Sequence, residues 1–196
     1  MSEVIGKEKR IDVMIDLETC SRRENAAILS VAMVLFDIKT FENVGEASYG
    51  VDLTSCFLEG LDFDRDTQEW WVKQDYIAKK ALMDVVRRPV GEVVSDLYHN
   101  IEQLHKEYEE VIMWSNGSDF DFPKLDYLFH RFLKREPPYK YYNKRDMRTI
   151  YKETHTDISD IKRDGCKHNA LEDCLWQIEV LKKSYEENGG LFLKKE

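Results

Sequence analysis

Apolar and polar positions along the chain switch between two periods, and the switches mark the elements. Arg10–Leu17 carries Ile, Val, Met and Ile in a short alternating and apolar run, which predicts a first strand. Ile28–Phe36 (ILSVAMVLF) is nearly continuous apolar sequence, long and β-branched enough for a central strand. Tyr49–Leu53 predicts a third strand, joined as a meander. Helices are expected over Asp66–Gln74, with an Asp or Thr as N-cap, and over Asp75–Val86, before Pro89 breaks the chain. In Val90–Glu107, residues Val90, Val93, Val94, Leu97, Ile101 and Leu104 recur at steps of three and four, the stripe of an amphipathic helix.

Glu110–Trp114 predicts a fourth strand, followed by a polar turn over Ser115–Asp119 and a helix from Phe122 to Lys134 that Pro137-Pro138 ends. A short strand near Tyr141 precedes a helix over Asp146–Glu153. His168 opens a final helix that runs to Glu187 and stops at Asn188-Gly189-Gly190. This order implies an α/β sandwich, a mixed sheet flanked by helices. The 196 residues contain no repeat, low-complexity block or Pro/Gly-rich linker, so residues 1–196 are expected to form a single domain.

Composition fits a folded protein, with 42% hydrophobic and 34% charged residues. No apolar run approaches the roughly 20 residues that span a bilayer. The N-terminus, MSEVIGKEKR, lacks the apolar core of a signal peptide, so a cytoplasmic location is expected. Cys20, Cys56, Cys166 and Cys174 are scattered without CxxC spacing, which argues against a disulfide framework or a structural zinc site. The net charge of −9 opposes tight, long-footprint binding of nucleic acid. A local basic stretch runs against that total: Lys134, Arg135, Lys140, Lys144, Arg145, Arg148 and Lys152, interleaved with Tyr139, Tyr141, Tyr142 and Tyr151. It suits phosphate contacts and base stacking at a strand end, and equally a solvated surface segment.

Three acidic groups carry the candidate chemistry. Asp16-Leu17-Glu18-Thr19 ends the first strand, and residues i and i+2 on a strand share a face. Two adjacent carboxylates repel unless a cation lies between them, and their hard oxygens suit Mg²⁺ or Mn²⁺. Asn116–Asp121 sits where a strand turns into a helix, with Gly117 permitting the turn. There Asp119 and Asp121 flank an apolar Phe120; one suits an N-cap and the other a metal ligand. His168-Asn169-Ala170-Leu171-Glu172-Asp173 is the third. Five residues of helix turn by one and a half turns, so His168 and Asp173 converge only if His168 lies in the helix entry. Taken singly, His168 suits a surface or capping role better than a catalytic one.

In this order and context the three groups resemble the DEDDh superfamily of 3′–5′ exonucleases, whose ribonuclease H-like fold carries D-x-E, N-x-x-x-F-D and H-x-x-x-x-D. The resemblance spans nearly the whole chain. It is closest to the phage-type exonuclease A and a bacterial exoribonuclease-like branch, through Asp66–Gln74 (DTQEWWVKQ), Phe120–Pro123 (FDFP) and Arg145–Thr149 (RDMRT). It implies that Asp16, Glu18, Asp121 and Asp173 hold two divalent ions, Mg²⁺ or Mn²⁺. Asp16 would bridge both, and His168 would be the general base that helps release nucleoside 5′-monophosphates from a free 3′ end. Asp121 is preferred to Asp119 because it follows Phe120 directly. Thr19, Trp70, Trp71, Arg145 and Arg148 are candidate substrate contacts, with one tryptophan expected in the core and the other on a base. The family includes dimers, so a homodimer is one assembly to expect.

The alternatives differ in substrate or class: an exoribonuclease in place of a DNA exonuclease, a non-catalytic nucleic-acid-binding module, or a proofreading subunit docking a polymerase through Leu191–Glu196. A degenerate module should have lost a carboxylate or the histidine, and all five are present.

Overall fold

A computed structural model describes residues 8–83, 86–163 and 165–189. The N-terminal segment read for a leader, the end of the helix predicted to Val86 and the tail Leu191–Glu196 fall partly or wholly outside those residues.

Strands β1 (Glu8–Thr19), β2 (Ile28–Phe36) and β3 (Asn43–Val51) form an antiparallel meander. The third strand starts six residues before the predicted Tyr49 and stops before Leu53. Its exposed positions, among them Asn43, Glu46 and Ser48, thin out the apolar signal. Leu53 instead opens a short helix, α1 (Leu53–Leu58), because Asp52 accepts hydrogen bonds from the amides of Thr54 and Ser55 at 3.1 Å each.

Helix α2 (Arg65–Lys73) is capped by Asp64, whose carboxylate accepts from the Thr67 amide at 2.9 Å, and α3 (Tyr76–Met83) follows. Two further residues, β4 (Arg87–Arg88), pair in parallel with the end of β3. So short a strand has no periodicity to read. Helix α4 (Val90–Glu107) matches its predicted bounds, and all six stripe residues are buried.

Strand β5 (Tyr108–Ser115) pairs in parallel with β1. Helix α5 (Ser118–Leu128) begins inside the predicted turn, because Gly117 at φ 112° reverses the chain in one residue. It runs into a π-helical turn, Phe129–Leu133. The strand expected near Tyr141 is a 3₁₀ turn, Tyr141–Asn143. The strand itself, β6 (Lys144–Asp146), lies just after it, parallel to β5. Helices α6 (Met147–Glu153) and α7 (Ala170–Glu187) complete the described chain.

The sheet order is β4-β3-β2-β1-β5-β6, with helices on both faces. Strand β1 divides the core by the pleat: Ile11, Val13, Ile15 and Leu17 pack with α4 and α5, while Met14 packs with α6 and α7. Asp16 and Glu18 therefore face the α7 side. Among the described residues, no helix is long and apolar enough to cross a membrane.

Candidate active site

The predicted carboxylates meet at the carboxyl end of β1, from three separate elements. A register shift between Glu18 and Thr19, after which Thr19 pairs with Ile28, kinks the end of β1 just where the carboxylates sit. Asp121 arrives from the first turn of α5 and is 3% exposed, whereas Asp119 faces solvent. Asp121, the one preferred on the motif, thus lies in the cleft, and Asp119 does not line it. Asp173 comes from the first turn of α7, whose N-cap is Asn169 and not His168. His168 lies just outside the helix at φ 65°, and its backbone N–H donates to Asp173 Oδ2 at 2.9 Å. That left-handed step is what brings His168 and Asp173 together across a turn and a half.

Asp16, Glu18, Asp121, His168 and Asp173 line one cleft of about 430 Å³. One ligand atom each from Glu18, His168 and Asp173 lie within 4.8 Å of one another. Burial raises the pKa of Asp16, Glu18 and Asp121, and mutual repulsion adds to it. Asp16 is pushed up to about 7, first by desolvation and then by Asp173. Glu18 is pushed up to about 10 by desolvation and by Asp16, Asp173 and Asp121. Asp121 rises well above the usual carboxylate range, by desolvation and Asp16, although Lys124 pulls the other way. Buried, mutually repelling oxygen donors fit divalent cations, which would relieve both effects together. Burial lowers the His168 pKa and favours neutral imidazole, the form that accepts a proton. Burial pushes the Cys20 thiol up to about 12 and raises Cys56, Cys166 and Cys174 as well, which disfavours a thiolate at each.

Two partners in the cleft escape the sequence motifs. Gln177 Nε2 donates to Asp16 Oδ1 at 2.7 Å, and Arg163 pairs closely with Asp173. Gln177 was findable, because it lies one helical turn after Asp173 on the same face. Arg163 lies in an irregular segment with no periodicity to reveal it.

The candidate substrate contacts divide. Arg148 lines the cleft, donating to the Asn116 carbonyl at 2.8 Å, and its guanidinium lies so near Gly117 that a Cβ there would meet it at 3.2 Å. Arg145 does not: its guanidinium folds back onto the carbonyls of Tyr142 and Lys144, at 2.7 and 2.9 Å, at the far edge of the sheet. Lys144, from the same basic stretch, is engaged by Asp126. Thr19 is buried, and its hydroxyl donates to the Ser21 carbonyl. Thr19, Trp70, Trp71 and Phe120 line an adjoining pocket of about 360 Å³ that shares Leu17, Glu18, Trp70 and Phe120 with the cleft. Trp71 is tied to β1 through its indole N–H, which donates to the Thr19 carbonyl at 2.9 Å, while Trp70 is 42% exposed.

Comparison with known proteins agrees with this fold. The model of the Rv2179c-like 3′–5′ exoribonuclease domain family matches residues 11–185. The chain is similar to the exodeoxyribonuclease of Enterobacteria phage T4, at 26% identity across 92% of this chain and 91% of the phage protein. Its fold is that of the zinc-bound E. coli exonuclease I–single-stranded DNA complex (TM-score 0.65, 12% identity, 94% of this chain). The nuclease domain of 3′hExo, a DEDDh family member bound to rAMP, is similar over 91% of this chain and 92% of that domain (TM-score 0.57, 12% identity). The chain spans 42% of the exonuclease I chain in that complex. The mixed sheet with its flanking helices is the ribonuclease H-like fold of these exonucleases.

Proposed function

This chain belongs to the Rv2179c-like 3′–5′ exoribonuclease domain family and is a 3′–5′ exonuclease; from that premise we propose that it removes nucleoside 5′-monophosphates from the 3′ end of a single strand, using two Mg²⁺ or Mn²⁺ ions. The observation that carries this reading is the convergence of Asp16, Glu18, Asp121, Asp173 and His168 in one cleft. The active unit is residues 1–196 acting as one domain, as a monomer or a homodimer.

Asp16, Glu18, Asp121 and Asp173, which line the one cleft, would hold the ions. Bound there, divalent ions would supply the positive charge that activates the attacking water and stabilises the leaving 3′-oxygen. His168 takes the proton of that water as it attacks the terminal phosphodiester, and the P–O3′ bond breaks behind it. Arg148 binds a phosphate oxygen from the rim, and Trp70 and Trp71 wall the pocket for the last nucleotide. Arg145 has no part in this account.

DNA is the proposed substrate, because the phage relative, matched over nearly its full length, is an exodeoxyribonuclease. RNA is the second reading, favoured by the family's description as exoribonucleases. The test is a time course on 3′- and 5′-labelled DNA and RNA oligonucleotides of one sequence, with Mg²⁺, Mn²⁺ or EDTA. Stepwise mononucleotide release from the 3′ end, abolished by EDTA, supports the reading, and the faster sugar decides between the two. No degradation of any strand in either metal contradicts it.

A further inference from the structure

We propose that Trp70 is a positioning residue for His168, holding the imidazole where it meets the attacking water; this rests on His168 being the general base.

His168 is weakly braced by polar contacts. It precedes α7 in a left-handed conformation, and its backbone N–H is tied to Asp173. Among the described residues, its ring nitrogens make no hydrogen bond, and the nearest carboxylate oxygen is Glu18 Oε1 at 4.0 Å. The ring is held by aromatic edges. Trp70 meets it at 4.7 Å between centroids and 82° between planes, and Trp71 at 5.8 Å and 81°.

Those contacts lead back to the sheet. The Trp71 indole is fixed to the Thr19 carbonyl at the end of β1, next to Glu18. Trp70 packs edge-on against Trp71 at 5.0 Å and 78°. Two indoles thus connect the strand that carries Asp16 and Glu18 to the imidazole, Trp71 both directly and through the closer Trp70. Such a relay fixes the base relative to the carboxylates without using either ring nitrogen, leaving both free for proton transfer.

Trp70 also stands between the two cavities, lining the carboxylate cleft and the adjoining pocket at once. A base in that pocket presses on the same ring that aims His168, so an occupied pocket and an aligned base favour each other. Helix α2 holds no fully buried residue and Trp70 is 42% exposed, so truncation of Trp70 should leave the fold intact.

A double-mutant cycle tests the relay, using Trp70→Ala, Trp70→Phe and His168→Ala in the whole chain. Single-turnover and steady-state rates are read on a short 3′-labelled oligonucleotide, and the His168 ¹H–¹³C ring signal is read in metal-free protein. Trp70→Ala is expected to lower kcat about ten-fold at saturating substrate, the scale of one aromatic contact. Trp70→Phe should recover most of that rate. In the His168→Ala background, Trp70→Ala should cost nothing further, because the group it positions is gone. The His168 signal should be ring-current shifted in the parent and in Trp70→Phe, and should move toward the position of a free histidine in Trp70→Ala, with the smaller contribution of Trp71 remaining.

A rise in KM alone, an undiminished loss of kcat in the His168→Ala background, or an unmoved His168 signal each overturns the proposal while leaving His168 as the base. An unchanged kcat in His168→Ala itself overturns the base assignment, and the proposal with it.

Discussion

The α7-facing side of β1 carries buried acids at both ends of the strand, and the two ends are treated in opposite ways. Asp12, 0% exposed, receives two hydrogen bonds from Arg10 at 2.7 Å and one from the Trp114 indole at 2.6 Å. Four residues on, Asp16 receives one amide hydrogen bond from Gln177 and faces Glu18, Asp121 and Asp173 across the cleft. Burial raises the Asp12 pKa, and Arg10 offsets that. At the other end, repulsion adds to burial. A buried acid that serves the fold has its counter-charge built in. At the cleft Arg163 pairs with Asp173 and Lys124 acts on Asp121, but Asp16 and Glu18 have no cation hydrogen-bonded to them among the described residues, and that shortfall is what marks the site.

Substitution at the two ends should separate these roles most sharply. Asp16→Asn is expected to lower kcat by about 10³-fold or more, because the several kcal/mol that bound ions contribute to charge stabilisation are lost. The same substitution should raise the melting temperature of the metal-free protein by relieving repulsion. Asp12→Asn should do the reverse, leaving kcat within about two-fold and lowering stability by about 1–3 kcal/mol as Arg10 loses its partner. Paired melting curves and rates check both, and a matching loss of stability in the two variants breaks the comparison.

His168 sharpens the contrast from inside the cleft. His168→Ala should lower kcat by roughly 10²–10⁴-fold, the usual share of a general base, and leave metal affinity largely unchanged. Calorimetric Mn²⁺ titration of the variant alongside its rate separates loss of the base from loss of an ion.

A smaller effect follows from linkage. Asp16 titrates near 7 in the folded state against an ordinary value of 3.8. Between those values the folded state holds a proton that the unfolded chain has released, so this group's contribution to stability falls as pH rises through the window. In EDTA, the wild-type melting temperature should therefore decline from pH 5 to 7 relative to Asp16→Asn. Saturating Mg²⁺ should flatten that difference, because the ion binds the ionised form. A difference independent of pH in EDTA would mean that Asp16 is not held protonated.

What the sequence made legible follows the same division. Asp16 and Glu18 were readable because a strand's period of two puts them on one face. Asp173 and His168 were readable only together, since their spacing demanded a non-helical entry, and the φ of 65° at His168 provides it. The residue pattern alone did not separate Asp119 from Asp121, because both follow a turn whose reversal takes a single residue, Gly117; the preference for Asp121 came from its place after Phe120 in the family motif. Helix α1 and strand β4 were too short to show a period. Arg163 lies in an irregular segment, and the ring contacts of Trp70 and Trp71 with His168 join residues roughly a hundred apart, which no local pattern records. Arg145 and Arg148 look alike in sequence, because charge and neighbourhood do not show which way a side chain folds.

The most direct test of the central claim is calorimetric titration of the metal-free protein with Mn²⁺ at pH 7, in buffers of different ionisation enthalpy. The account predicts two ions per chain, with proton release as Asp16 and Glu18 ionise, unchanged in Asp12→Asn and lost in Asp16→Asn. Binding with no proton release, or none at millimolar Mn²⁺, would contradict it.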